Sequence, residues 1–205
     1  MSDNMVDSII YKPVIVSPQE QQFIEETVLG GNFPWYWKTG QRFDTEFFFN
    51  KHIPDWFRPF LVQYNPQFFS HSLITVATSG LQSHTTRSQT EISPFYDFFI
   101  EIFHRFMVDN NIQYSKIYRA ALNFNWYNDL AHTEPHIDHS WPHNNFIMYL
   151  NTCDNGQTLI WPEDFSTTYF IPCIKYTAAA FKQQWHAHRY PAKEQRRVVF
   201  VVTYI

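Results

Sequence analysis

Cysteine is nearly absent from this chain: Cys153 and Cys173 are the only two in 205 residues. Two thiols are too few for a disulfide framework or a cysteine-rich zinc site. They are expected as free thiols in a reducing cytoplasm, a single Cys153–Cys173 disulfide being the alternative. Charge is scarce as well. Asp, Glu, Lys and Arg make up 17% of the residues, below the roughly 25% of an ordinary soluble domain. The formal net charge of −4 offers no attraction to a phosphate backbone, so no nucleic-acid partner is expected. No apolar run approaches the ~20 residues needed to cross a bilayer. Met1 to Ser8 are polar and acidic, without the apolar stretch of a secretory signal. A cytoplasmic protein with no membrane partner is the expectation. The chain also lacks a glycine-rich phosphate loop, a Gly-x-Ser-x-Gly elbow and a His-Glu-x-x-His helix. Neither cysteine sits in a recognisable nucleophile context.

What the chain has is apolar and aromatic mass. Apolar residues reach 44% and aromatics 20%, with 21 Phe, 12 Tyr and 7 Trp. That content argues against disorder and is enough to bury a sizeable core. The length fits a single domain, 1–205, with a helical and aromatic part over 1–111 and a strand-rich core over 112–205. Ser17-Pro18-Gln19-Glu20 reads as an N-cap with Pro at the first helical position, and Gly30-Gly31 closes that helix over about 18–29. Ser93-Pro94 opens a second helix to about Met107, with Phe98, Phe99, Ile102, Phe103 and Phe106 as its apolar stripe. Phe33 to Trp37 and Phe47 to Phe49 are strand-like aromatic patches. Residues 50–90 read as loop-rich with short helical turns.

Beyond Asn110-Asn111 the pattern changes to short β-rich runs at 114–127, 134–139, 144–151, 156–161, 167–172, 174–182, 184–189 and 196–205. The turn Asp154-Asn155-Gly156 between two such runs is a hairpin signal. Helices followed by seven or eight short strands imply an α+β chain, with N-terminal helices packed on one sheet of a double-sheet jelly roll or barrel.

The chemistry centres on His136-Ile137-Asp138. Side chains two apart on a strand share a face, so one imidazole and one carboxylate can meet one metal. A third ligand from His186 or His188 completes a two-histidine, one-carboxylate set that leaves positions open on a non-haem Fe(II). Alone the motif is weak, because a His-x-Asp pair arises by chance in a chain with ten histidines. Its order in the chain gives it weight. A strand, Arg119 to Tyr127, precedes it. A strand ending Tyr149-Leu150-Asn151 follows, then Gly156-Gln157-Thr158 leading into Leu159 to Trp161. After these come the small-residue strand Thr177 to Phe181, then Trp185-His186-Ala187-His188, and Arg196-Arg197 opening the last apolar run.

In this ordered series, over about residues 115–205, the chain resembles the 2-oxoglutarate- and Fe(II)-dependent oxygenases, particularly small prolyl-hydroxylase-like members of bacteria and their viruses. The resemblance implies a double-stranded β-helix (cupin-like jelly roll) with iron at its open mouth. It implies Fe(II) held by His136, Asp138 and a distal histidine, and 2-oxoglutarate and O₂ as cosubstrates. Its spacing favours His186 over His188 and places Arg197, rather than Arg196, on the far carboxylate of 2-oxoglutarate. A planar guanidinium suits that role. Alternation puts Arg197 on one face with Val199, Val201 and Thr203, and Arg196 on the other with Val198, Phe200 and Tyr204, without saying which face is inner. The family's reaction is hydroxylation of a C–H bond with release of succinate and CO₂. A peptidyl or free amino-acid side chain is the substrate it suggests.

Asn123, Asn125 and Tyr149 are candidates to hydrogen-bond the cosubstrate from neighbouring strands, although a buried polar group satisfying backbone is an equal reading of each. His139 and His143 flank the motif, the latter in the loop Ser140–His143, a candidate rim over the iron. Trp126, Trp141, Trp161 and Trp185 are candidate pocket walls, with core packing as the default. Phe33 to Trp37 reads as packing before it reads as a substrate platform. Glu134 resembles a general base, which this chemistry does not need. The rival reading is a non-catalytic or zinc-binding cupin-like module built on the same three side chains.

Overall fold

The structure is a computed structural model that describes residues 9–39, 53–57, 67–75 and 91–205. The patch at Phe47 to Phe49 lies outside the described residues. In chain order the elements are β1 (Ile10–Pro13), α1 (Pro18–Phe23) continued by one π-helical turn (Ile24–Val28), β2 (Tyr36–Thr39), β3 (Gln67–Thr75) and β4 (Glu91–Ile92). Then follow α2 (Tyr96–Asp109), β5 (Ile117–Trp126), β6 (Asn144–Tyr149), β7 (Thr158–Trp161), β8 (Tyr169–Ile171), β9 (Thr177–Lys182), β10 (Trp185–His188) and β11 (Arg196–Tyr204).

Helix α1 starts where its capping residues dictate. Ser17 Oγ accepts the Glu20 N–H at 3.3 Å and Glu20 Oε2 accepts the Ser17 N–H at 2.6 Å, a reciprocal box that satisfies two otherwise unpaired donors. The helix ends at Leu29, and a Cβ on Gly30 would collide with the Glu26 carbonyl. Helix α2 begins at Tyr96, after a turn in which Ser93 Oγ accepts the Phe95 N–H. Its Phe99, Ile102, Phe103, Phe106 and Met107 are buried, one stripe of a 3.6-residue period. That stripe lies on the outer face of the large sheet, where Phe103 meets Phe146 and Tyr204, and Phe99 meets Phe200, at ring separations of 5.1–5.5 Å. Arg105 Nη2 ties α2 to α1 through both oxygens of Glu20, at 2.9 and 3.1 Å. Among the described residues no helix is long and apolar enough to cross a membrane.

The strands form two sheets, both antiparallel. The large one runs β1-β9-β6-β11-β5-β3-β2, with β4 on β3, and the small one β10-β7-β8. This is a jelly roll. Val198, Phe200, Val202 and Tyr204 of β11 join the helix-covered core, whereas Arg197, Val199, Val201 and Thr203 line the space between the sheets. The outer side of the small sheet is closed by Phe57, packed on Trp161 and Trp185. Part of the interior is filled by Ile147, Tyr149, Ile160, Ile171, Ala179, Phe181 and Val199. The remainder is a cavity.

Three expectations are corrected. Within 50–90 a nine-residue strand, β3, pairs with β5. Its polar residues are buried with partners, Ser70 on Asn123 and His71 between Pro34 and Ser93, which is why its pattern does not alternate. The Asp154–Gly156 turn does not make a hairpin: β6 belongs to the large sheet and β7 to the small one, so the turn crosses between sheets, with Asn155 at a left-handed φ of 66°. Residues 134–139 are not a regular strand. They pair with β10 only through one bridge, His136 to His186, because the chain bends at Asp138.

Candidate metal centre

That bridge places the histidines. The backbone of His136 meets that of His186 on β10, and the two rings lie 4.4 Å apart between centroids. Asp138 faces both: its Oδ1 is 3.8 Å from His136 Nε2 and its Oδ2 is 3.6 Å from His186 Nε2. One ligand atom from each of the three lies within 4.8 Å of the others, close enough for a single ion to join them. Among the described residues no other group of histidine, cysteine and carboxylate side chains gathers in this way.

The hydrogen bonds prepare the rings. His136 Nδ1 is 3.1 Å from the Glu134 carbonyl, and His186 Nδ1 is 3.0 Å from the Gln184 carbonyl. A carbonyl only accepts, so each Nδ1 carries the proton and each Nε2 lone pair is left facing Asp138. Burial, with the neighbouring His136, pushes His186 down to about 4, so its imidazole is neutral at neutral pH. Burial alone would raise Asp138. The facing His186, His136 and Arg119 outweigh it and hold the carboxyl well below its usual range. Two imidazoles and one carboxylate are the donor set that a divalent iron accepts with positions to spare.

From this cluster the cavity, about 120 Å³, extends in two directions. One way it reaches Arg197, Asn123, Asn125, Thr158 and His188. Arg197 is 3% exposed. It donates from Nε to the Gly156 carbonyl at 2.9 Å and from Nη2 to Thr158 Oγ1 at 3.0 Å. Thr158 shares a 2.7 Å hydrogen bond with Tyr149, whose ring lies 5.5 Å from the guanidinium carbon. Tyr149 itself is off the cavity wall. Asn123 lines the cavity while accepting from Ser70 at 2.9 Å, and Asn125 lines it opposite Arg197. Arg196 does not line it. His188 Nε2 is buried without a hydrogen-bond partner among the described residues, and the backbone N–H of His188 is held by Thr133 Oγ1.

The other way, the cavity is lined by Arg119, Asn145, Thr203, Ile147 and Val201. Neither Arg119, Asn145 nor Thr203 was singled out from sequence. The signal that could have found Arg119 is its position four and six residues before Asn123 and Asn125, on the same face of one strand. Glu134 also lines the cavity, and burial pushes its carboxyl up to about 7. His139 stacks on Trp141 with ring centroids 4.4 Å apart, and His143 is buried beside them. None of the four tryptophans walls the cavity. Trp161 and Trp185 pack outside the small sheet, Trp126 is exposed, and Trp141 holds His139. Phe33 is core, while Tyr36 and Trp37 are exposed on β2. Cys153 and Cys173 are buried free thiols, with Sγ atoms 3.1 Å apart.

No family model and no curated protein matches this sequence. Solved structures do match its fold. An oxidoreductase of the 2OG-Fe(II) oxygenase family from Burkholderia pseudomallei superposes with a TM-score of 0.66 at 11% identity, covering 96% of this chain and 84% of its own. A prolyl hydroxylase from Trichoplax adhaerens, solved with a hypoxia-inducible-factor peptide, gives 0.57 at 11% identity, covering 98% and 84%. The non-haem alpha-ketoglutarate-dependent carbocyclase SnoK of nogalamycin biosynthesis gives 0.56 at 10% identity, covering 100% and 83%. The fold is therefore the double-stranded β-helix on which these 2-oxoglutarate/Fe(II) oxygenases are built.

Proposed function

We propose that this chain is a 2-oxoglutarate- and O₂-dependent Fe(II) dioxygenase that hydroxylates a C–H bond, with a peptidyl or free amino-acid side chain as the substrate class. The observation that carries the reading is the meeting of His136, Asp138 and His186 in a cavity whose wall also holds the buried guanidinium of Arg197. His136 and His186 would hold Fe(II) through Nε2 and Asp138 through its carboxylate. When bound there, iron supplies activation of O₂, coupled to conversion of 2-oxoglutarate to succinate and CO₂ and to insertion of oxygen into the substrate.

The chain's own residues do the rest. The carbonyls of Glu134 and Gln184 hold a proton on each Nδ1, so Nε2 is the nitrogen each ring turns to the metal position. Arg197, anchored by Gly156 and Thr158, fixes the far carboxylate of the dicarboxylate. Its burial excludes water and strengthens that attraction. Asn123 and Asn125 stand on the same wall to accept or donate to the cosubstrate, and Tyr149 acts one step back by holding Thr158 and the face of Arg197.

The reading is tested by adding air to protein loaded anaerobically with Fe(II) and 2-oxoglutarate. Succinate should form in step with O₂ consumption, and Asp138→Ala should abolish it. A zinc-holding or purely structural jelly roll would yield no succinate.

A further inference from the structure

The end of the cavity opposite Arg197 has polar groups that the reaction above leaves without a role. Thr203 on β11 stands directly opposite Arg119 on β5 and Asn145 on β6. Residues facing each other across strands share a face, and all three line the cavity. Val199 and Val201 separate this cluster from Arg197 along β11, a span of roughly 20 Å at the rise of a strand. Asn145 is 3% exposed, and among the described residues neither Nδ2 nor Oδ1 has a hydrogen-bond partner. A buried amide left wholly unpaired is unfavourable and calls for a reason. Among the described residues Arg119 has one charged neighbour, Asp138, at 3.9 Å, which is too long for a hydrogen bond. A cation and an amide with unused donors, flanking Thr203 from either side in one cavity, form an anion site.

We propose that Arg119, Asn145 and Thr203 bind the free carboxylate of a small prime substrate of α-amino-acid type, at a site separate from the dicarboxylate site at Arg197. The proposal deepens the dioxygenase reading and rests on it for the substrate's position beside the metal. Arginine's planar fork matches a carboxylate. With the Asp138 carboxylate close by, one guanidinium suits a monoanion better than a doubly charged phosphate. Asn145 offers an N–H to the carboxylate and a carbonyl to an adjacent ammonium or hydroxyl. Ile147 and Val201 give the carbon chain an apolar wall. A carboxylate held by Arg119 is close to Asp138, so the carbons of a small acid fall next to the metal ligands. An internal residue of a peptide has no such carboxylate.

The test is thermal melting of the full chain loaded anaerobically with Fe(II) and 2-oxoglutarate, with each L-α-amino acid supplied as the free acid and as its carboxamide, and with inorganic phosphate. At ten times its Kd a ligand raises the Tm of a chain this size by roughly 3–6 °C. At least one free acid should do so, and its carboxamide should not. Arg119→Gln should abolish the shift, Arg119→Lys should restore part of it, and 2-oxoglutarate affinity in Arg119→Gln should stay within about twofold, where Arg197→Gln weakens it about tenfold or more. Asn145→Leu removes an unpaired amide, so it should raise the ligand-free Tm while losing the acid response; a merely structural Asn145 would give a lower Tm. The proposal is overturned if no free acid shifts the Tm, if acid and carboxamide act alike, if phosphate acts instead, or if Arg119→Gln weakens 2-oxoglutarate as Arg197→Gln does. Failure of 2-oxoglutarate to bind the wild type would instead remove the dioxygenase reading. The same acid and carboxamide comparison on the metal-free chain then decides this site alone.

Discussion

His136 and His186 exchange backbone hydrogen bonds, each N–H to the other's carbonyl at 2.9 Å. The two imidazoles are thus cross-strand neighbours, although one precedes β6 and the other lies on β10. Their spacing is set by the main chain, so a side-chain substitution at either position removes a ligand without moving its partner. His186→Ala should therefore retain a folded chain and lose iron, with a drop in affinity beyond the ~10–100-fold that follows loss of an outer partner. His188→Ala should keep stoichiometric iron, since His188 stands outside the cluster. Iron content after gel filtration separates the two.

Arg197→Gln should raise the KM for 2-oxoglutarate by about 10–100-fold, the equivalent of one charge-assisted hydrogen bond of ~1.5–3 kcal/mol. Arg197→Lys should recover only part of this, because a point charge cannot bond Gly156, Thr158 and a carboxylate from one plane. Steady-state succinate formation against 2-oxoglutarate concentration measures both.

The metal-free protein should lose stability as pH falls from about 6.5 towards about 4. His186 is depressed from 6.5 to about 4 in the folded chain. Over that window the unfolded chain binds the proton and the folded chain does not, so stability rises with pH and drains away as pH falls. His186→Gln should make that part of a plot of Tm against pH less steep, the remaining slope coming from His139, His143 and His188, which burial also pushes down.

Phe103→Ala should cost about 3–5 kcal/mol, as expected for an aromatic removed from a closed core. Phe103 is fully buried between Tyr114, Phe146 and Tyr204. Urea denaturation would show the loss as a lower midpoint with an unchanged slope.

How much of this was legible in the sequence depended on the range of the interaction. The α2 stripe and the Ser17 cap are local, and both are found where their residues predict them. The strands from β5 onward end within a few residues of the expected runs, because Asn, Asp, Gly and Pro punctuate them. Which face of β11 turns inward was not legible, since Val198 and Phe200 are as apolar as Val199 and Val201. The choice is made by α2, which covers the first pair. Strand β3 was missed because its buried Ser70 and His71 are polar, and their partners Asn123, Pro34 and Ser93 are distant in sequence. The row of Arg119, Thr203 and Asn145 needs the register of three strands before it exists at all.

The central claim is that His136, Asp138 and His186 hold an iron to which 2-oxoglutarate binds. Its most direct measurement is the visible absorption spectrum of anaerobic protein titrated with Fe(II) and then with 2-oxoglutarate. A charge-transfer band that saturates at one equivalent of cosubstrate, and is missing from Asp138→Ala, is the predicted result. A wild-type chain that stays colourless, or an Asp138→Ala chain that keeps the band, would contradict it.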